Sequence, residues 1–158
     1  MIMDHNHNYE VSVVWTGSNG AGTTGYTDYE RSHTISSPGK PDIDASSDKP
    51  FMGDVSKHNP ETLLLSAVAT CHMLWYLHLC SDAGIIVTNY TDKATAVMTV
   101  PSTGSGHFTE ATLHPVVTIT DATKIDLANS LHEKANEKCF VANSVKFPIH
   151  HEPTCIVH

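Results

Sequence analysis

Four cysteines, Cys71, Cys80, Cys139 and Cys155, are the side chains here most able to do chemistry unaided. The reactive species is the thiolate, and an unperturbed thiol ionises near pH ~8.5, so a working cysteine needs neighbours that favour the anion. No CxxC pair occurs, and the wide, irregular spacings support neither a zinc ribbon nor a thioredoxin motif. Cys71 sits in SAVATCHM among small residues that let other groups approach its sulfur. Cys80, grouped with Leu77 and Leu79 on another helix face, and Cys155 read as buried thiols acting as small hydrophobes. The twelve histidines contain no HExxH, and adjacent His150 and His151 on one strand would point to opposite faces, so a metal site is not expected. His72 points about 100° away from Cys71 around a helix and is expected to satisfy a core hydrogen bond. Trp75 and Tyr76 are expected either to wall a pocket or to pack a core.

Composition narrows the class. The chain has 158 residues, enough for one domain, and its 40% hydrophobic and 16% charged content is globular. A formal net charge of -8 argues against a nucleic-acid or anionic-membrane partner, either of which would want a basic patch. Arg31 is the single arginine. The opening MIMDHNHNYEVSV lacks a basic n-region, an apolar h-region and a cleavage site, so a cytoplasmic location with reduced thiols is expected. The apolar stretch Leu63–Cys80 contains Ser66, Thr70, His72 and His78 and lacks basic flanks, which predicts a buried helix and no membrane span.

The elements that must position these residues can be read in order. Tyr9–Trp15 alternates as a strand, Gly17–Gly25 is turn-rich, and Tyr26–Ile35 predicts a second strand completing a hairpin. Residues 36–57, rich in Pro, Gly, Ser and Asp, predict a long loop. Asn59 as N-cap, Pro60 at the first helical position and Glu61 at the positive end of the dipole open a helix that Gly84 closes. Strands near residues 87–100 and 107–121 flank the turn PSTGSG. A helix over about residues 124–138 ends at Cys139, and a short strand over 145–150 follows. The order ββ–α–ββ–α–β with antiparallel hairpins predicts an α+β fold, a single domain over residues 1–158. The first helix is apolar almost all round, more than one sheet can cover, so burial alone predicts a homodimer.

Asn59-Pro60-Glu61, a run of Leu and Ala, Cys71 ten residues after Glu61, and Cys139 opening CFVANS together resemble the OsmC/Ohr family. That family comprises osmotically inducible protein C and the organic hydroperoxide resistance proteins, and the similarity extends over nearly the whole chain. The resemblance implies an intertwined homodimer with antiparallel sheets wrapped around central helices. It also implies a thiol peroxidase that reduces organic hydroperoxides or H2O2 without cofactor or metal. Cys71 would be the peroxidatic thiolate and Cys139 the resolving thiol. Glu61 and an arginine, here Arg31, would hold Cys71 ionised, and a dithiol of the lipoyl type would be the reductant.

Physical chemistry fits those roles. Cys71 lies about three turns into its helix, too deep for the dipole to activate it, so a cation is required. A guanidinium fork can bind a thiolate and a carboxylate together. Glu61 and Cys71 stand ~15 Å apart along one helix, so either an antiparallel partner helix brings them together or Arg31 bridges them. Phe140 follows Cys139 where the family often has Pro. Two other functions are open: a non-enzymatic dimer holding a small apolar ligand, and a cysteine hydrolase pairing Cys71 with a histidine, for which no local signature exists.

Overall fold

The computed structural model describes residues 6–158. Residues 1–5, part of the segment in which no leader pattern is read, lie outside the described residues. The chain forms two compact units, one ending at Leu63 and one running from Leu64 to His158.

The first unit is built on an antiparallel sheet of β1 (Ser12–Trp15), β2 (His33–Ser36) and β3 (Ile43–Ala45), in that order. Val13 pairs with Ile35, and Ile35 with Ile43, which fixes the register. The predicted hairpin is present, but its second strand begins at His33, later than expected. Glu30 N–H donates to Gly17 O at 2.9 Å, closing the intervening segment as a loop. A Cβ on Gly17 would fall 2.1 Å from the Glu30 carbonyl oxygen, so only glycine allows that approach. The predicted long loop is also more ordered than expected, since it contains β3 and a 3-10 turn at Lys49–Phe51. β1 is an edge strand whose Val13, Val14 and Trp15 are all exposed.

Helix α1 (Pro60–Asp82) opens as its sequence dictates. Asn59 Oδ1 accepts the Thr62 N–H at 2.8 Å, satisfying a donor the helix start leaves free. It ends in a Schellman motif: Gly84, at φ +65°, donates to Ser81 O at 3.0 Å while Ile85 donates to Cys80 O at 2.8 Å. α1 is long and apolar enough to cross a membrane by length and composition, yet Val68, His72, Tyr76 and Cys80 bury one stripe of it in protein. Its other faces are only partly covered, and Leu74 is exposed.

In the second unit a long hairpin is folded into two sheets. β4 (Val87–Asp92) pairs with β7 (Pro115–Ile119), and β5 (Thr95–Thr99) pairs with β6 (His107–Leu113). At the bend Asp92 Oδ1 accepts the His114 N–H at 2.8 Å. α2 (Ile125–Lys138) turns Ala128, Leu131, His132 and Ala135 inward. After it come β8 (Ile149–His151), parallel to β6, and β9 (Thr154–Val157), parallel to β7. These parallel pairs correct the expectation of purely antiparallel sheets. α2 lies between the hairpin and the last strands in sequence, and such a crossover permits parallel pairing. The α+β class itself stands. The core gathers Tyr76, Cys80, Ile85, Val117, Ile119 and Leu131 around the alanines of α2, each large aliphatic contributing about 1.5–3 kcal/mol on burial.

Candidate active site

Cys71, Leu74, Trp75 and His78 follow one another at i, i+3, i+4 and i+7 on α1, hence on one face. With Phe140 they line a cavity of 400 Å³, a volume within the usual range for small-molecule sites. Trp75 is its centre. Phe140 meets the indole edge-on at 5.5 Å, His78 does so at 5.6 Å, and the Lys138 ammonium lies 5.7 Å from the ring centroid. The walls are therefore carbon-rich, and the His78 imidazole also lies 3.6 Å from the Asp82 carboxylate.

The two thiols differ in surroundings. Cys71 is partly exposed and opens into this cavity, whereas Cys139 is fully buried. Cys139 ends α2 in extended backbone, and the 3-10 turn at Ala142–Ser144 returns the Ala142 N–H to its Sγ at 3.4 Å. The two thiols lie close to each other. Burial first, and the Cys71 thiol second, push Cys139 up to about 11, so at neutral pH it is a thiol and a proton donor. All four cysteines are free. Cys80 is buried and pushed upward chiefly by that burial, and Cys155 is half-buried on β9 against the core. Both are packing thiols, as the sequence suggests.

The remaining predicted residues lie in the first unit. Arg31 precedes β2, and its guanidinium donates to the carbonyls of Tyr26 and Tyr29 while lying 4.4 Å and 4.1 Å from the centroids of their rings. It lines a cavity of 380 Å³ with Trp15, His33, Ser46, Ser47 and Pro60. Glu61 stands in the first turn of α1 with Oε2 buried and without a partner among the described residues. Arg31 and Glu61 form no ion pair there. Leu74, His78 and Phe140 were not singled out as pocket residues from sequence. The helical spacing from Cys71 would have found the first two, and the aromatic beside Cys139 the third.

No group of three or more His, Cys, Asp or Glu side chains among the described residues could hold a metal. The histidines are placed otherwise: His72 hydrogen-bonds His132 at 3.0 Å, and His150 approaches Glu110 at 3.8 Å while His151 faces the core.

A half-exposed thiol on a long apolar helix, close to a buried thiol at the end of a second helix, defines a dithiol protein with an apolar pocket. Residues 53–154 match the model of the OsmC-like protein family, and the chain belongs to that family. It is similar to an OsmC-like protein of unknown function from Vibrio cholerae, at 28% identity and TM-score 0.80 over 94% of this chain and 99% of that one. An OsmC-like protein from Mycoplasma pneumoniae shares the fold at 16% identity and TM-score 0.71, over 96% and 99% of the two chains. So does an organic hydroperoxide resistance protein from Elizabethkingia anophelis, at 21% identity and TM-score 0.69 over 99% and 100%. The comparison with curated proteins returned no match.

Proposed function

We infer that the protein is a cysteine peroxidase that reduces hydroperoxides with apolar substituents. The observation that carries this reading is the asymmetry of the thiol pair: Cys71 opens into a carbon-lined cavity and Cys139 is buried close to it. The Cys71 thiolate attacks the terminal peroxide oxygen, the O–O bond breaks, and the alcohol leaves after taking up a proton. The resulting sulfenic acid condenses with the Cys139 thiol, releasing water and forming a disulfide before over-oxidation. A dithiol of the lipoyl type then restores both thiols, leaving as its own disulfide. The organic hydroperoxide resistance protein of similar fold supports the substrate class.

Arg31 and Glu61 are assigned the task of keeping Cys71 ionised. The buried, unpartnered Oε2 of Glu61 is a carboxylate oxygen in want of a cation, and such an atom is costly unless paired. A second copy of the chain would cover the open faces of α1 and the exposed apolar residues of β1, so the working unit is a homodimer. Light scattering should give twice 17.2 kDa at micromolar concentration. In the enzyme assay, cumene hydroperoxide should consume two thiols per chain and give a Cys71–Cys139 disulfide by mass spectrometry. Cys71→Ser should be inert although Cys80 and Cys155 remain. If Cys71→Ser consumes peroxide as fast as the parent, the apolar-ligand dimer is the better account.

A further inference from the structure

Four aromatic rings form a column through the second unit, and three of them are histidines. Tyr76 stacks on His132 at 3.9 Å and 11°, His132 lies 5.3 Å from His72 at 9°, and His72 lies 4.6 Å from His151 at 27°. Two rings come from α1, one from α2 and one from β8. His72 and His132 are 1% and 2% exposed, and one donates to the other between Nε2 and Nδ1 at 3.0 Å. His72 Nδ1 and His151 Nε2 are buried with no partner among the described residues. The 3.0 Å bond and the 9° angle set His72 and His132 edge to edge in nearly one plane, and no group of three or more such side chains among the described residues could hold a metal.

The position of the column matters more than its composition. His72 follows Cys71 directly, and His132 lies two turns before Cys139 on the helix that ends there. The His72–His132 bond therefore fastens the helix of one thiol to the helix of the other. We propose that His72, His132 and His151 are positioning residues for the thiol pair: while neutral they hold Cys139 against Cys71, and their protonation loosens the two helices and frees Cys139. The proposal rests on the dithiol reading above.

A proton on any of the three rings would be poorly received. The titratable groups facing the column are Tyr76 and Cys80 from α1, Tyr90 and Asp92 from β4, His150 from β8 and Cys155 from β9. The one carboxylate among them is Asp92, whose Oδ2 is buried without a partner among the described residues beside Tyr90. Asp92 accepts the His114 N–H, and burial pushes its own carboxyl upward. Glu152 approaches His114 at 3.2 Å and Glu110 is engaged with His150. A charged ring would also lie beside the other two imidazoles, each of which it would make harder to protonate. Burial first, and the neighbouring rings second, accordingly push His72 and His132 down to about 3 and about 4. An unpaired buried cation is relieved by opening the structure to water.

Cys139 labelling with 4,4′-dithiodipyridine, which reacts at acid pH, tests this without peroxide chemistry. The full reduced chain is labelled between pH 7 and pH 4.5, each site is read by mass spectrometry, and rates are normalised to a model thiol at the same pH. Normalised Cys139 labelling should rise at least tenfold on acidification. In His132→Gln, which keeps a neutral hydrogen-bonding side chain, the rise should be at least threefold smaller than in the parent. His151→Gln, further from the helix contact, offers the same comparison should His132→Gln fold poorly. A flat profile in the parent chain overturns the proposal, and so does an equal rise in parent and variants, which would mean general acid loosening. Loss of peroxidase activity with the acid response intact would instead refute the peroxidase reading alone.

Discussion

His72 Nε2 lies 3.0 Å from His132 Nδ1, and both rings are sealed from solvent. Their burial makes stability depend on pH in a definite direction. In the unfolded chain both rings take up protons below about pH 6.5, whereas the folded chain resists until about pH 4 for His132 and about pH 3 for His72. The unfolded state binds more protons in that window, so stability is full above pH 6.5 and is lost as pH falls through it. The slope is at most about 1.4 kcal/mol per pH unit for each ring. Urea midpoints at pH 7.5, 6 and 5 should decline steadily, and His132→Gln should decline less steeply.

Cys139 is predicted to matter after the first chemical step and not during it. Cys139→Ser should reduce one equivalent of peroxide at close to the parent rate and then accumulate sulfenic acid. With excess peroxide, mass spectrometry should show sulfinic and sulfonic products at Cys71. A slow first turnover would show that the buried thiol takes part in the attack itself.

Trp75 should set preference by size. Removing the indole takes away the wall shared by Phe140 and His78, while Cys71 retains its place on α1. Trp75→Ala should lower kcat/KM for cumene hydroperoxide by roughly ten- to a hundredfold, in line with lost apolar contact of about 1–3 kcal/mol. Hydrogen peroxide, which has no apolar group to bury, should be affected much less. Equal losses for both would place Trp75 among residues that merely hold α1.

Arg31 can be separated into a local role and a role toward the thiol. Its bonds to the Tyr26 and Tyr29 carbonyls pin the segment before β2, so Arg31→Ala should cost about 1–3 kcal/mol of stability. The assigned electrostatic role adds a second effect, an upward shift in the pH profile of Cys71 alkylation that Arg31→Lys partly restores. An unshifted profile would leave Arg31 as a loop anchor.

Much of the fold was legible because local chemistry decides it. Asn59, Pro60 and Gly84 bound α1 as their backbone preferences require, and alternation marked β1 and β7. The parallel placement of β8 and β9 was not legible, because pairing partners lie beyond α2 and no local pattern specifies them. β9 itself, TCIV, is too short to stand out by period. Of the site, Cys71 and Cys139 could be named from motif spacing. Phe140 was marked only by its place beside Cys139, since its part in the pocket arises from the turn that follows α2. The histidine column draws on α1, α2 and β8, so a sequence could show only its separate members.

The two parallel pairings also govern when the second unit can form. Until the chain beyond α2 has been synthesised and has docked, the hairpin of β4–β7 is a bent ribbon with an open edge along both β6 and β7. β8 then brings His151 to the column and β9 brings Cys155 to the core in one non-local closure. Loop-closure entropy makes such late pairing slow, and an open edge is a template for pairing with another chain. The thiol pair is therefore assembled on a scaffold in which β6 and β7 gain their second partners last. During synthesis, the interval before β8 and β9 dock is when this protein is most exposed to aggregation and to wrong disulfides.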